Sequence, residues 1–151
     1  MNYDDLLEHA KIEGLQVKEL PLQSADGRIR GDRIAIREDI ETTTEKACKL
    51  AEELGHHHTT VGNIIGENGK QERQARFWAY EHQIGLEGLI RAFDARCQNT
   101  YEAADFLGVT EEFLIDAIYA YKGKYGPYVR IGQHTIIFEP TLYVIERIER
   151  R

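Results

Sequence analysis

The sequence predicts an α+β domain, mostly helical, with short strands near both ends. Three observations carry that expectation. Apolar residues recur with helical spacing through the middle of the chain, from about residue 42 to residue 121. Short alternating runs, 15–20 and 29–36 before that block and 128–138 after it, have strand character. The 151 residues contain no repeat, low-complexity tract or linker, so residues 1–151 are read as a single domain that can bury its own core.

Each element follows from local chemistry. Residues 3–13 place Leu6, Leu7, Ala10 and Ile12 among charges, an opening helix stopped by Gly14. Residues 15–20 alternate as a strand, and PLQSADGR at 21–28 is a turn. Ile29, Ile34 and Ile36, interrupted by Gly31-Asp32, predict a hairpin or a kinked strand over 29–36. Within it, RIAIR at 33–37 has the form of an ordinary structural strand with one buried face.

The best-signalled helix runs over residues 42–58. Thr42 and Glu45 form a capping box, and Ala47, Leu50, Ala51 and Leu54 make one apolar stripe. A loop with Asn-Gly is expected over 62–70, then helices over 71–83, 86–96, 101–107 and 111–121. Strands over 128–131 and 134–138, joined by Gly132-Gln133, precede a basic end, IERIERR. Trp78, Phe77, Phe93, Phe106 and Phe113 have helical spacing and are expected in the core.

Composition narrows the function. With 19 basic and 26 acidic residues the net charge is −7, which disfavours nucleic acid and anionic membranes as partners. Residues 99–121 have a helix-turn-helix rhythm, but Glu102, Asp105, Glu111, Glu112 and Asp116 would repel phosphates, so a packing unit is expected. Cys48 and Cys97 fit no CxxC pattern and are read as free thiols. With no leader and no apolar run of membrane length, a cytoplasmic location is expected.

The stretch LAEELGHHH, residues 50–58, carries the chemistry. On a helical wheel Glu52, Glu53 and His56 lie opposite the apolar stripe. Glu52 and His56 are an i, i+4 pair, the spacing at which two side chains share a metal ion. A hydrolytic site on a helix needs a carboxylate directly after the first ligand. Glu53 meets that need in the Glu52/His56 register, whereas the Glu53/His57 register would place Leu54 there. Glu72, opening the next helix on the side of Ala75 and Ala79, is the preferred third ligand, with His82 the alternative. His57 and His58 are further imidazoles nearby, His58 on the apolar side.

The run DIETTTEKACKLAEELGHHHTTVGNI resembles the ImmA/IrrE family of metallopeptidases, and QERQARFWAY at 71–80 is similar to that family's second motif. NTYEAADFLGVTEEFL is similar to its phage and mobile-element members. The resemblance implies a zincin-like metal helix, with His56 and Glu72 as ligands and Glu53 as the catalytic glutamate; it also implies that RIAIR, if not simply a structural strand, accepts substrate as an added strand beside that helix. Glu52 stands where the family has its first histidine, so HELGH has become EELGH. Two carboxylates and one imidazole favour Zn2+ less strongly and make Mn2+ or Fe2+ more competitive. The implied activity is a metal-dependent endopeptidase that cleaves a helix-turn-helix repressor of a prophage or mobile element. Its alternative is an inactive member that regulates the repressor by binding. Tyr80 and His82 are the only side chains suggested for stabilising the oxyanion.

Overall fold

The computed structural model describes residues 1–60 and 68–148. These fall into two compact units, Met1–Gln83 and Ile84–Arg151.

The first unit opens with α1 (Tyr3–Ile12), started by a capping box in which Asn2 accepts from the Asp5 N–H at 2.8 Å and Asp5 reciprocates. Leu6 and Ala10 are its buried residues, and Gly14, at φ +80°, lets the chain turn out of the helix. Three strands follow: β1 (Gln16–Leu20), β2 (Gly27–Arg30) and β3 (Arg33–Arg37). Gly31 at φ +62° turns β2 into β3, so the interrupted run is a hairpin, and the expected turn gives up Gly27 and Arg28 to β2. The sheet order is β1-β3-β2, with β3 parallel to β1 and antiparallel to β2. This corrects one expectation. RIAIR is a strand with Ile34 and Ile36 fully buried, but it is the central strand and has no free edge for an added strand.

Helix α2 (Thr43–Thr60) is capped as its sequence requires, Thr42 Oγ1 accepting from the Glu45 N–H at 3.1 Å. Its stripe of Ala47, Leu50, Ala51 and Leu54 is completely buried, and it packs most extensively on α3 (Asn68–Gln83). Helix α3 starts at Asn68, three residues inside the expected loop; residues 62–67 of that loop lie outside the described residues. A methyl group built on Gly55 would overlap the Ala75 carbonyl, only 2.9 Å from its carbon. Gly55 therefore lets α2 touch the backbone of α3, and Ala75 and Ala79, both fully buried, complete the small-residue seam.

The second unit contains α4 (Gly85–Asp94), α5 (Thr100–Leu107) and α6 (Glu111–Tyr125), then β4 (Tyr128–Ile131), β5 (His134–Ile137) and β6 (Tyr143–Glu146) in an antiparallel β4-β5-β6 sheet. Gly108, at φ +71°, ends α5, and Thr110 caps α6 through the Phe113 N–H. Helix α6 runs four residues beyond its expected end, because Lys122 and Lys124 suit the C-terminal dipole and Gly123 costs too little to stop it. Strand β6 was not expected; only its Val144 is buried, so four residues give almost no alternation to read. Phe113 is buried as expected, but Phe93 and Phe106 are 40% and 48% exposed. Helical spacing places an aromatic ring on a face without fixing what covers it.

We expect Gly55→Ala to cost about 2 kcal/mol or more of stability, read by urea denaturation, because the added methyl meets backbone that cannot rotate away. Glycine to alanine in an unobstructed helix would instead stabilise by up to about 1 kcal/mol.

Candidate metal and catalytic site

The face of α2 opposite its buried stripe presents Lys49, Glu52, Glu53 and His56, and the close α2–α3 seam brings Glu72 from the start of α3 against it. His56 Nε2 lies 3.4 Å from Glu72 Oε1. Donors bound to one tetrahedral ion at about 2.0–2.1 Å stand roughly 3.3 Å apart, so this pair has ligand spacing. Glu72 is half exposed rather than turned inward, so the pair is open to a substrate.

Glu53 lies one residue round the helix, largely shielded from water, with its side chain against β2. A methyl group on Gly27 would come within 3.1 Å of Glu53 Cγ and Oε1. Burial, reinforced by the neighbouring charges of Glu52 and Glu72 and only partly offset by Lys49, raises the Glu53 carboxyl from 4.5 to about 7. A carboxyl that exchanges its proton near neutrality is suited to general base and acid work.

Glu52 points elsewhere. Its Oε2 meets Lys49 Nζ at 3.3 Å, one turn back on α2. Such a part-exposed pair is worth at most about 1 kcal/mol. A structural zinc site contributes on the order of 10 kcal/mol, so the lysine is no barrier to recruiting Glu52 to an ion. The donor set also favours a cation: three carboxylates and an imidazole crowd one helix face, with Lys49 the cation that opposes Glu53.

The other suggested residues lie away from this pair. His58 Nε2 meets Glu13 Oε1 at 2.8 Å and its ring stacks on Trp78, so it is not packed among apolar side chains. His57 also faces Glu13, at 4.0 Å. His82 stacks on the same indole, Trp78, at 3.7 Å, with Nδ1 2.9 Å from the Trp78 carbonyl oxygen. Trp78 is thus a half-buried platform for imidazoles. Tyr80 and Cys48 are buried. Sequence reasoning missed Gly27, Gly55 and Lys49. A glycine inside a helix stripe was a readable signal for Gly55, whereas the contact of Gly27 with Glu53 joins residues 26 positions apart.

A groove on the first sheet is lined by Lys18, Arg28, Arg30 and Arg33 among apolar residues, a basic face in an acidic chain.

Raising a carboxyl in the folded state makes folding less favourable once pH climbs above the unfolded value. In chelator-treated protein, Glu53→Gln should leave stability near pH 4 unchanged. At pH 8, where the native carboxyl must ionise, it should stabilise by on the order of 2 kcal/mol. Thermal melts of both proteins across pH 4–8 read this directly; a gain that is equal at both ends would mean that Glu53 carries no buried charge.

No curated protein and no solved structure matches the chain significantly. A family model, Peptidase_M78, described as the IrrE N-terminal-like domain, matches residues 10–119. That span holds every residue of the site, from Gly27 to Glu72, and covers most of the chain. The chain belongs to the Peptidase_M78, or IrrE N-terminal-like, family of metallopeptidase-type domains.

Proposed function

We propose that the protein is a metal-dependent endopeptidase in which Glu52, His56 and Glu72 hold one divalent ion and Glu53 moves the proton. The observation that carries this reading is the His56–Glu72 pair at ligand spacing beside a carboxyl raised to about 7. Zn2+ is the preferred ion, with Mn2+ or Fe2+ favoured in proportion as the two carboxylates both bind. The chemistry such an ion supplies is polarisation of the scissile carbonyl and acidification of water. Glu53 accepts the proton of the attacking water and returns it to the leaving amine. Its near-neutral carboxyl is matched to both halves of that transfer.

An extended substrate has one sheet edge available beside this chemistry. Strand β2 is an edge strand, and its first residue, Gly27, touches Glu53. Pairing along β2 would carry a peptide past the general base, with backbone hydrogen bonds supplying affinity. The protein substrate we propose is a helix-turn-helix repressor of a prophage or mobile element, met in the cytoplasm. Among the described residues no helix is long and apolar enough to cross a membrane. The family match runs from one compact unit into the other, which supports reading residues 1–151 as one functional domain.

A second reading is supported by Glu52, a carboxylate turned toward Lys49 where the family has its first histidine. In that reading the protein regulates the repressor by binding, without cleavage.

The deciding measurement is metal content together with repressor cleavage. Under the first reading, His56→Ala and Glu72→Ala each bind one equivalent of metal fewer than the wild type and lose the activity. Glu53→Ala keeps the ion and loses at least about 100-fold in kcat. Undiminished repressor binding with no cleavage, after loading with Zn2+ or Mn2+, would establish the second reading.

A further inference from the structure

A second set of metal donors stands on the other side of α2. His9 and Glu13 close the end of α1 four residues apart, and His58 reaches them from the last turn of α2. His58 Nε2 lies 2.8 Å and His9 Nε2 3.0 Å from the same oxygen, Glu13 Oε1. The donor atoms of all three residues fall within 4.8 Å of one another. Ligands at about 2.1 Å from one ion stand at most about 4.2 Å apart, so side-chain adjustments of a few tenths of an ångström would bring all three to a shared ion.

Hydrogen bonding alone does not account for the cluster. His9 Nε2 is buried and makes no hydrogen bond, although it lies 3.0 Å from Glu13 Oε1. Glu13 Oε2 is also buried without a hydrogen-bond partner, and His57 Nε2 is the next donor, 4.0 Å away. A carboxylate with one buried oxygen and two imidazoles converging on the other is incompletely satisfied by protein groups.

The imidazole that comes from α2 is also held in orientation. The His58 ring stacks on Trp78 at 4.6 Å and 12°, and Trp78 stacks in turn on His82 at 3.7 Å and 18°. The His9 ring is tilted against the same indole at 6.1 Å. An aromatic wall that fixes ring planes lowers the ordering cost of binding.

We propose that His9, Glu13 and His58 form a second divalent-metal site, separate from the His56–Glu72 face, that clips the end of α1 to the end of α2. Two imidazoles and one carboxylate select a borderline ion such as Zn2+ or Co2+ over Mg2+ or Ca2+. His57 is the nearest fourth donor. Because α2 also carries Glu53 and His56, an ion here steadies the helix on which the catalytic face is built, and it does so whether or not that face is active.

The test uses the full chain and the metals Zn2+ and Co2+ alone. In a His56→Ala/Glu72→Ala background, which removes the proposed catalytic pair, the protein should still bind one equivalent of Zn2+ and melt several degrees higher with it. Co2+ bound there should give the visible absorption of a low-symmetry site. Adding His9→Gln and His58→Gln, or the single change Glu13→Gln should the double variant not fold, should abolish binding, the melting shift and the Co2+ spectrum. A background protein that binds no metal, or one whose binding survives the loss of Glu13, overturns the site. Failure of the catalytic reading looks different: wild type and the His56→Ala/Glu72→Ala protein would then bind the same single equivalent.

Discussion

The site depends on the closeness of α2 and α3. Helices with ordinary side chains at their contact stand 8–10 Å apart, about the span of two interdigitated residues. Gly55 against Ala75 removes one of those layers, so the backbone of one helix meets the backbone of the other. At that distance Glu72, in the second turn of α3, comes 3.4 Å from His56. The glycine lies directly before the histidine, so the residue that permits the approach is covalently next to the one that uses it.

Packing and charge then oppose each other across α2. Its buried stripe, Ala47, Leu50, Ala51 and Leu54, fixes the helix on the core. That fixed orientation forces Glu52, Glu53 and His56 onto one crowded face. Bringing carboxylates together under partial burial is unfavourable, and the cost appears in the raised Glu53 carboxyl. Hydrophobic burial of the stripe holds the unfavourable cluster in place. Under the proposed reading a divalent ion would offset that repulsion, which together with burial raises the proton affinity of Glu53.

Local signals were legible wherever they determine local structure. The Thr42 cap, the glycines that end α1 and α5, and the order of helices and strands all follow from residues within a few positions of one another. So did the registration of Glu52, Glu53 and His56 on one face, since a helical wheel needs no tertiary information. Glu72 was expected to point inward with Ala75 and Ala79 but is half exposed, because sharing a helix side with buried residues does not fix how far a long side chain reaches toward solvent. The position of RIAIR inside the sheet was equally hidden: alternation reports which face of a strand is buried and nothing about its neighbours. Phe93 and Phe106 failed as core residues for a related reason, since spacing defines a face without saying whether anything covers it.

The sequence by itself determined the α+β class, the helix carrying EELGH, the face on which its charged residues stand and the resemblance that the family match over residues 10–119 bears out. Those are properties of periodicity, capping and motif order, which are short-range. The tertiary structure alone decided which distant partners those residues meet: Glu72 for His56, the bare backbone of Gly27 for Glu53, and Glu13 for His58. Each joins residues many positions apart in the chain, unlike the local Lys49–Glu52 pair on α2. Such pairs are fixed only when burial of the apolar stripe has set the distance and rotation of every element around α2.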